Sequence, residues 1–324
     1  MMQPAAAGKA TVRVGHSPDP DDAFMFYALT FPQFDTKPEC YEHHLIDIET
    51  LNHDAEQGKY EVTALSFHAY CYVADKYILL PHGASFGDNY GPMIVAKEFS
   101  GKADAKGKDA RAWLKGKTIA VPGTRTSAFL ALNLFAAGSD GQQNITSTGD
   151  VITGRAADGP ALAKLDFKTV VVPFDEIIAR VASGEFDGGL IIHEGQLTYH
   201  EQASGSLKKV IDLGEWWGAW TGLPLPLGGN GIRKDIGKDR IQHISRHLHD
   251  SIKWGLEHRD EALSYALRYA RDMGKEKADK FVGMYVNEYT LDYGEKGRAA
   301  VRRFLSEGRR LGLITVAVQP EWTE

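Results

Sequence analysis

The sequence predicts an α/β fold of two lobes with a ligand cleft between them, and three observations predict it. Short apolar runs, such as Thr118 to Val121 and Leu190 to Ile192, stop abruptly at turn residues and alternate with helical segments, as buried parallel strands do. A lysine-rich polar patch, Ser100 to Lys117, separates two such α/β units. The chain then passes through a Gly/Pro-rich stretch, Thr221 to Gly231, into a mostly helical end. One unit inserted in another, joined by two crossings, puts residues 1–98 and 225–324 in one lobe and 99–224 in the other.

The elements follow in order. Thr11 to Gly15 reads as a first strand, ending in the turn-rich His16-Ser17-Pro18-Asp19-Pro20. Asp21 and Asp22 then open a helix that runs through Leu29, with acidic residues in its first turn. Leu45 to Leu51 alternates like a second strand, and Tyr60 to Leu65 ends in a third. Ser66 opens a helix towards Asp75, and Pro92 to Lys97 is a further strand. The second unit begins with strand Thr118 to Val121, turn Pro122 to Ser127 and helix Ala128 to Ala137. Ser139 to Asp166 is polar and Gly-rich, the composition of a surface insertion. Strand Val170 to Pro173, helix Asp175 to Ser183 and strand Gly189 to Ile192 complete the unit, and Val210 to Leu213 with the Gly/Pro-rich Thr221 to Gly231 reads as the return crossing. Further on, Ile241, Ile244, Leu248, Ile252 and Leu256 form one apolar stripe at helical spacing, and helices follow near 275–289 and 295–311.

Composition narrows the function. The 324 residues are 43% hydrophobic and 25% charged, which is ordinary for a soluble globular protein. A net charge of −6 argues against nucleic-acid and anionic-membrane partners but not against a small anionic molecule. No apolar stretch reaches the roughly 18–20 residues of a membrane span. Met1 to Ala10 lacks an apolar signal core, and Cys40 and Cys71 read as two free thiols, so a cytoplasmic protein is expected.

The candidate chemistry sits where strands end. Leu190-Ile191-Ile192-His193-Glu194 delivers a histidine to the mouth of a buried strand, and histidine suits proton transfer near neutral pH. Ser66, Thr126 and Ser127 lie at strand-to-helix junctions. There a hydroxyl caps the helix, and the same end presents N–H groups to an anion. Two such ends make a carboxylate clamp that needs no arginine. Asp19, Asp21 and Asp22 do not match a calcium loop and read as helix-capping acidic residues. His243 and His247 lack the glutamate of a zinc helix, and a solvated helix face is expected there. Gly228-Gly229-Asn230-Gly231 is not a dinucleotide fingerprint, and neither a phosphate loop nor a nucleophile elbow occurs. What remains is a cleft, without metal or organic cofactor, that suits either proton abstraction with bond cleavage or ligand binding.

Several stretches together resemble one known family, spread nearly end to end. They are Asp47-Ile48-Glu49-Thr50-Leu51-Asn52, Leu65-Ser66, Ala120-Val121-Pro122-Gly123 with Thr126-Ser127-Ala128, and Leu190 to Glu194. Trp216-Trp217, Thr221 to Gly228 and Tyr285-Val286-Asn287 extend the match. The family is 1,4-dihydroxy-6-naphthoate synthase, of the futalosine route to menaquinone. The resemblance implies a type 2 periplasmic-binding-protein-like fold, no cofactor, and cleavage of cyclic dehypoxanthinyl futalosine. It implies His193 as the proton acceptor, and Asn52, Ala64, Leu65, Ser66, Thr126, Ser127 and Ala128 as substrate contacts. Glu194 and Tyr199 are candidates to orient the histidine or the substrate. The run Ser17-Pro18-Asp19-Pro20-Asp21-Asp22-Ala23-Phe24 departs from the family's Ser-Pro-Cys-Pro-Asn-Asp-Thr-Phe. If that loop touches substrate, the added negative charge of Asp21 would oppose an anionic ligand, and Asn230 stands in a stretch that is usually apolar. A solute-binding or sensor protein, or a paralogous enzyme for a related aromatic carboxylate, is the alternative reading.

Overall fold

The computed structural model describes residues 10–138, 166–270 and 274–324. The expected insertion at Ser139 to Asp166 falls almost wholly outside them. Eleven strands are present among the described residues: β1 (Ala10–His16), β2 (Glu39–Leu45), β3 (Val62–Ser66), β4 (Tyr77–Leu79), β5 (Ser85–Gly87), β6 (Met93–Ala96), β7 (Thr118–Val121), β8 (Lys168–Val171), β9 (Gly188–Ile191), β10 (Lys208–Asp212) and β11 (Leu225–Arg233). They form two sheets. One has the order β2-β1-β3-β11-β4, with β5 also paired to β11; the other has the order β10-β6-β9-β7-β8. In each sheet three neighbouring strands run parallel: β2, β1 and β3 in the first, and β9, β7 and β8 in the second.

The sheets correct the sequence reading in three places. Strand β6, expected in the first unit, pairs with β9 and β10 in the second sheet. The chain therefore crosses between Gly87 and Met93 and returns through helix Leu213–Thr221. Leu45 to Leu51 is not a strand. Strand β2 ends at Leu45, and Ile48–Glu56 is a helix whose N-cap Asp47 accepts from the Thr50 amide at 3.0 Å. The cap competes with the alternating pattern and wins, because Leu51, Asn52 and Ala55 then fall on one buried helical face. The third correction is the return crossing, of which Val210 to Asp212 is part of β10 in the second sheet, and the rest is the Gly/Pro-rich stretch. From Leu225 onward it is β11, a nine-residue strand that lies between β3 and β4.

Its glycines hid that strand, since glycine is a poor strand former. Close packing requires one of them: a Cβ at Gly229 would stand 2.2 Å from the Tyr293 hydroxyl. The polar patch at 100–117 also contains a helix, Lys108–Leu114. The helix expected from Ser66 to Asp75 is only Phe67–Tyr70, followed by turns.

The C-terminal stripe behaves as its spacing predicts. Ile244, Leu248 and Ile252 are buried on helix Lys238–Glu257, with Ile241 and Leu256 packed at the margin. On the same helix His247 is buried and bonded to the Tyr41 hydroxyl at 2.8 Å, not solvated as expected. One apolar cluster joins the two sheets: Leu65, Phe67 and Leu79 share it with Ile94, Val121 and Leu190, and Trp216, Trp217 and Phe304 belong to it too. Both cysteines are free. Among the described residues no helix is long and apolar enough to cross a membrane.

Candidate active site

Ligands of open α/β sheets collect beyond the carboxyl ends of parallel strands, because the turns there expose backbone groups and side chains to one crevice. Four such ends converge here. The chain leaving β1 brings Ser17, Asp21 and Asp22; β3 ends in Ser66; the turn after β7 brings Thr126 and Ser127; and β9 leads into Ile192 and His193. All eight residues line one cavity. Strand β11 supplies another wall, since Gly228, Gly229 and Asn230 pair with Ser66, Leu65 and Ala64.

The hydroxyl-bearing side is built in layers. Ala64, Leu65, Ser66, Thr126, Ser127 and Ala128 all line the cavity, as expected. Asn52 does not. It is fully buried behind Ser66, where its Oδ1 accepts from the Ser66 amide (2.9 Å) and its Nδ2 donates to Ser66 Oγ (3.1 Å). Because Ser66 Oγ accepts that bond and caps no helix amide, its proton is left for a ligand. Thr126, by contrast, is a true cap: its Oγ1 accepts from Phe129 N (3.1 Å) and donates to Gly123 O (2.9 Å). Ser127 and Ala128 open the ten-residue helix Ser127–Ala136, and first-turn amides have no intrahelical acceptor. The junction after β3 offers no equivalent helix end, since Phe67–Tyr70 is a single turn. The two junctions instead touch each other, with the His68 amide donating to Ser127 Oγ at 3.3 Å.

The opposite group centres on His193. Its backbone lies in the left-handed region at φ 54°, a conformation that costs a non-glycine residue on the order of 1–3 kcal/mol. That turn carries the ring out of the strand direction, where it meets Phe174 edge-on at 5.2 Å and lines the cavity. The His193 Nδ1 lies 3.1 Å from Asp19 Oδ2, and the Asp19 side chain is only 3% exposed. This is not the helix-capping role expected of Asp19. It is the N-cap of helix Pro20–Met25 but makes no side-chain cap bond. With Nδ1 engaged by the carboxylate, Nε2 is the nitrogen left to exchange a proton with a bound molecule.

Sequence reasoning passed over Asp21, Asp22, Gln196, Asn230 and Tyr285, all of which line the cavity. Asp22 Oδ2 accepts from the Ser17 amide at 2.7 Å, and burial pushes its carboxyl up to about 6. Burial, with Asp22 and Asp19 alongside, holds the Asp21 carboxyl well above the usual carboxylate range. Asn230 is buried and donates to Gly83 O at 3.1 Å. Gly83 has φ +73° and leaves that amide no room for a Cβ. The usable signal was present: Asp19 to Asp22 follow a strand and open a helix, the same junction that singled out Ser66 and Ser127. Among the described residues no cluster of three or more His, Cys, Asp or Glu side chains is placed to hold a metal ion.

Comparison with known proteins gives this geometry a family. A family model described as menaquinone biosynthesis matches residues 12–163 and 159–310. A 1,4-dihydroxy-6-naphthoate synthase of Thermus thermophilus is 36% identical over 309 residues, covering 95% of this chain and 98% of the relative. A crystal structure of an Archaeoglobus fulgidus protein is 41% identical with a TM-score of 0.77, covering 94% of this chain and 98% of that one. The fold reaches further. The alkanesulfonate-binding protein of Xanthomonas axonopodis pv. citri superposes with a TM-score of 0.65 at 14% identity, over 98% of this chain and 99% of its own. The α/β fold is thus related to that of the type 2 periplasmic binding proteins, and the chain belongs to the 1,4-dihydroxy-6-naphthoate synthase family of menaquinone biosynthesis.

Proposed function

We propose that His193, oriented by Asp19, is the general base in the carbon–carbon lyase reaction that this chain catalyses as a 1,4-dihydroxy-6-naphthoate synthase, with cyclic dehypoxanthinyl futalosine as substrate. The observation that carries the proposal is the Asp19–His193 contact at the wall of the cavity. A carboxylate on Nδ1 fixes the tautomer that leaves Nε2 basic, and it stabilises the imidazolium that forms when Nε2 takes a proton. Loss of that proton supplies an electron pair. The pair forms a new π bond as the carbon–carbon bond breaks, and the bonding electrons pass to the ring. The imidazolium can return its proton to the ring fragment, which has received the bonding electrons. Aromatisation to the naphthoate draws the step forward.

The substrate is anionic, and the hydroxyl-bearing wall suits its carboxylate. Ser66 has a proton to donate, and the Ser127 and Ala128 amides sit at the positive end of a helix. General-base assistance contributes on the order of 10²–10⁴-fold. Orientation in the cavity must provide much of the rest. The test is turnover: purified protein is incubated with cyclic dehypoxanthinyl futalosine, and 1,4-dihydroxy-6-naphthoate is read by chromatography and mass. Naphthoate is the expected product. A folded protein that forms none overturns the substrate assignment.

A further inference from the structure

Three buried polar atoms of residues that line the cavity make no well-formed hydrogen bond to the protein: Asp21 Oδ1, Gln196 Oε1 and the Tyr285 hydroxyl, the last two close to each other. Each belongs to a side chain more than nine-tenths buried, with exposures of 8%, 8% and 4%. Buried polar groups are nearly always satisfied, and leaving one unmet costs about 1–3 kcal/mol. Three on one wall of one cavity therefore call for a ligand that completes them. They form a neighbourhood. Gln196 lies beside the Tyr285 hydroxyl, Asp21 is close enough to bear on that hydroxyl's ionisation, and Gln196 follows His193 by three residues.

Their chemistry selects the ligand. A neutral carboxyl and a phenol each donate and accept, and an amide oxygen accepts. That set matches alcohol groups, which also do both, whereas a carboxylate has no proton for the Gln196 amide oxygen. The Ser66 hydroxyl and the Ser127 and Ala128 amides are donors, which suit an anion. We propose that Asp21, Gln196 and Tyr285 form a second subsite beside His193 that binds the hydroxyl-bearing, sugar-derived part of the substrate, while the donor wall takes the carboxylate. The proposal rests on the substrate named above. The position of the base fits it, because the bond to be broken joins the two parts and His193 stands beside the subsite. Burial among its acidic neighbours raises the Asp21 carboxyl well above the usual carboxylate range, which favours its neutral form beside the substrate.

The test is titration calorimetry in a His193→Ala background, which removes turnover, with two ligands. One is intact cyclic dehypoxanthinyl futalosine; the other is 1,4-dihydroxy-6-naphthoate, which lacks the sugar-derived part. Tyr285→Phe and Asp21→Leu should each weaken the intact substrate by about 5- to 30-fold. Both should leave naphthoate binding within about twofold. Asp21→Asn keeps a neutral hydrogen-bonding group of the same shape and should hold substrate affinity within about threefold. Equal loss for both ligands, or no loss for the substrate, overturns the subsite. If the selective loss appears but the parent protein forms no naphthoate, the reaction assignment falls and the subsite stands. If neither ligand binds, both fall.

Discussion

At His193 the backbone and the side chain are constrained together. A left-handed φ turns the residue out of its strand, and Asp19 holds the ring once it is there. Asp19 is a positioning residue, and its contribution separates from binding. Asp19→Asn keeps the shape but removes the charge and permits the wrong tautomer; kcat should fall by about 10²-fold or more while KM stays within a few-fold. The acidic limb of the pH–rate profile should move as well, which a merely structural contact would not cause. A parallel fall in substrate affinity with an unmoved profile would remove Asp19 from this role. Sequence could find His193, because its apolar run ends on it. It could not pair Asp19 with it, because that contact is tertiary and a Pro-flanked aspartate before a helix reads equally well as a cap.

His82 sets a pH dependence of stability at the same scale. Burial, helped by nearby His249, lowers its pKa from 6.5 to about 3, and its Nε2 bonds Ser245 Oγ at 3.0 Å. The folded state therefore keeps His82 neutral where the unfolded chain protonates it. Below about pH 6.5 the unfolded state binds the extra proton, and this group removes about 1.4 kcal/mol of stability per pH unit as pH falls. His82→Asn lacks that loss. Its stability deficit against the parent, measured by urea unfolding, should narrow steadily between pH 6.5 and 4.5. A gap constant with pH would contradict the buried neutral imidazole.

Among the elements, helix Ile48–Glu56 shows how a site is built from behind. Asn52 reaches from its buried face to hold both the amide and the hydroxyl of Ser66 at the end of β3. Asn52→Leu should leave Ser66 misplaced and raise KM about tenfold, with a smaller change in kcat and a stability loss of about 1–3 kcal/mol. An unchanged KM would mean that Ser66 does not bind substrate. This helix was misread as a strand because Ile46, Ile48 and the residues around them alternate. The cap at Asp47 was legible only in hindsight. Strand β11 was missed for the opposite reason: its glycines answer to Tyr293 and Leu65 across the sheet, partners that local sequence does not reveal. The helix Lys238–Glu257 was read correctly, since a long apolar stripe needs no tertiary information.

On the scale of the whole molecule, the proposed catalytic pair is divided between the two units. Asp19 follows a strand of the first sheet and His193 a strand of the second, so the pair exists only where the units meet. Other bonds span the same seam. The Arg125 amide meets the Glu49 carboxylate at 3.1 Å, the Arg125 side chain pairs with Glu56 at 3.0 Å, and the guanidinium lies 3.9 Å over the Tyr72 ring. The α/β class and the alternation of two units were legible because strand ends and polar breaks are local. The exact seam was not, because β6 crosses it for the sake of hydrogen bonds to β9 and β10.

One measurement bears most directly on the role of His193 in this seam. His193→Gln is compared with the parent for kcat on cyclic dehypoxanthinyl futalosine and for substrate affinity by calorimetry. The account predicts a kcat lower by about 10²–10⁴-fold with affinity within about threefold, the signature of a lost base. Retained turnover would contradict it.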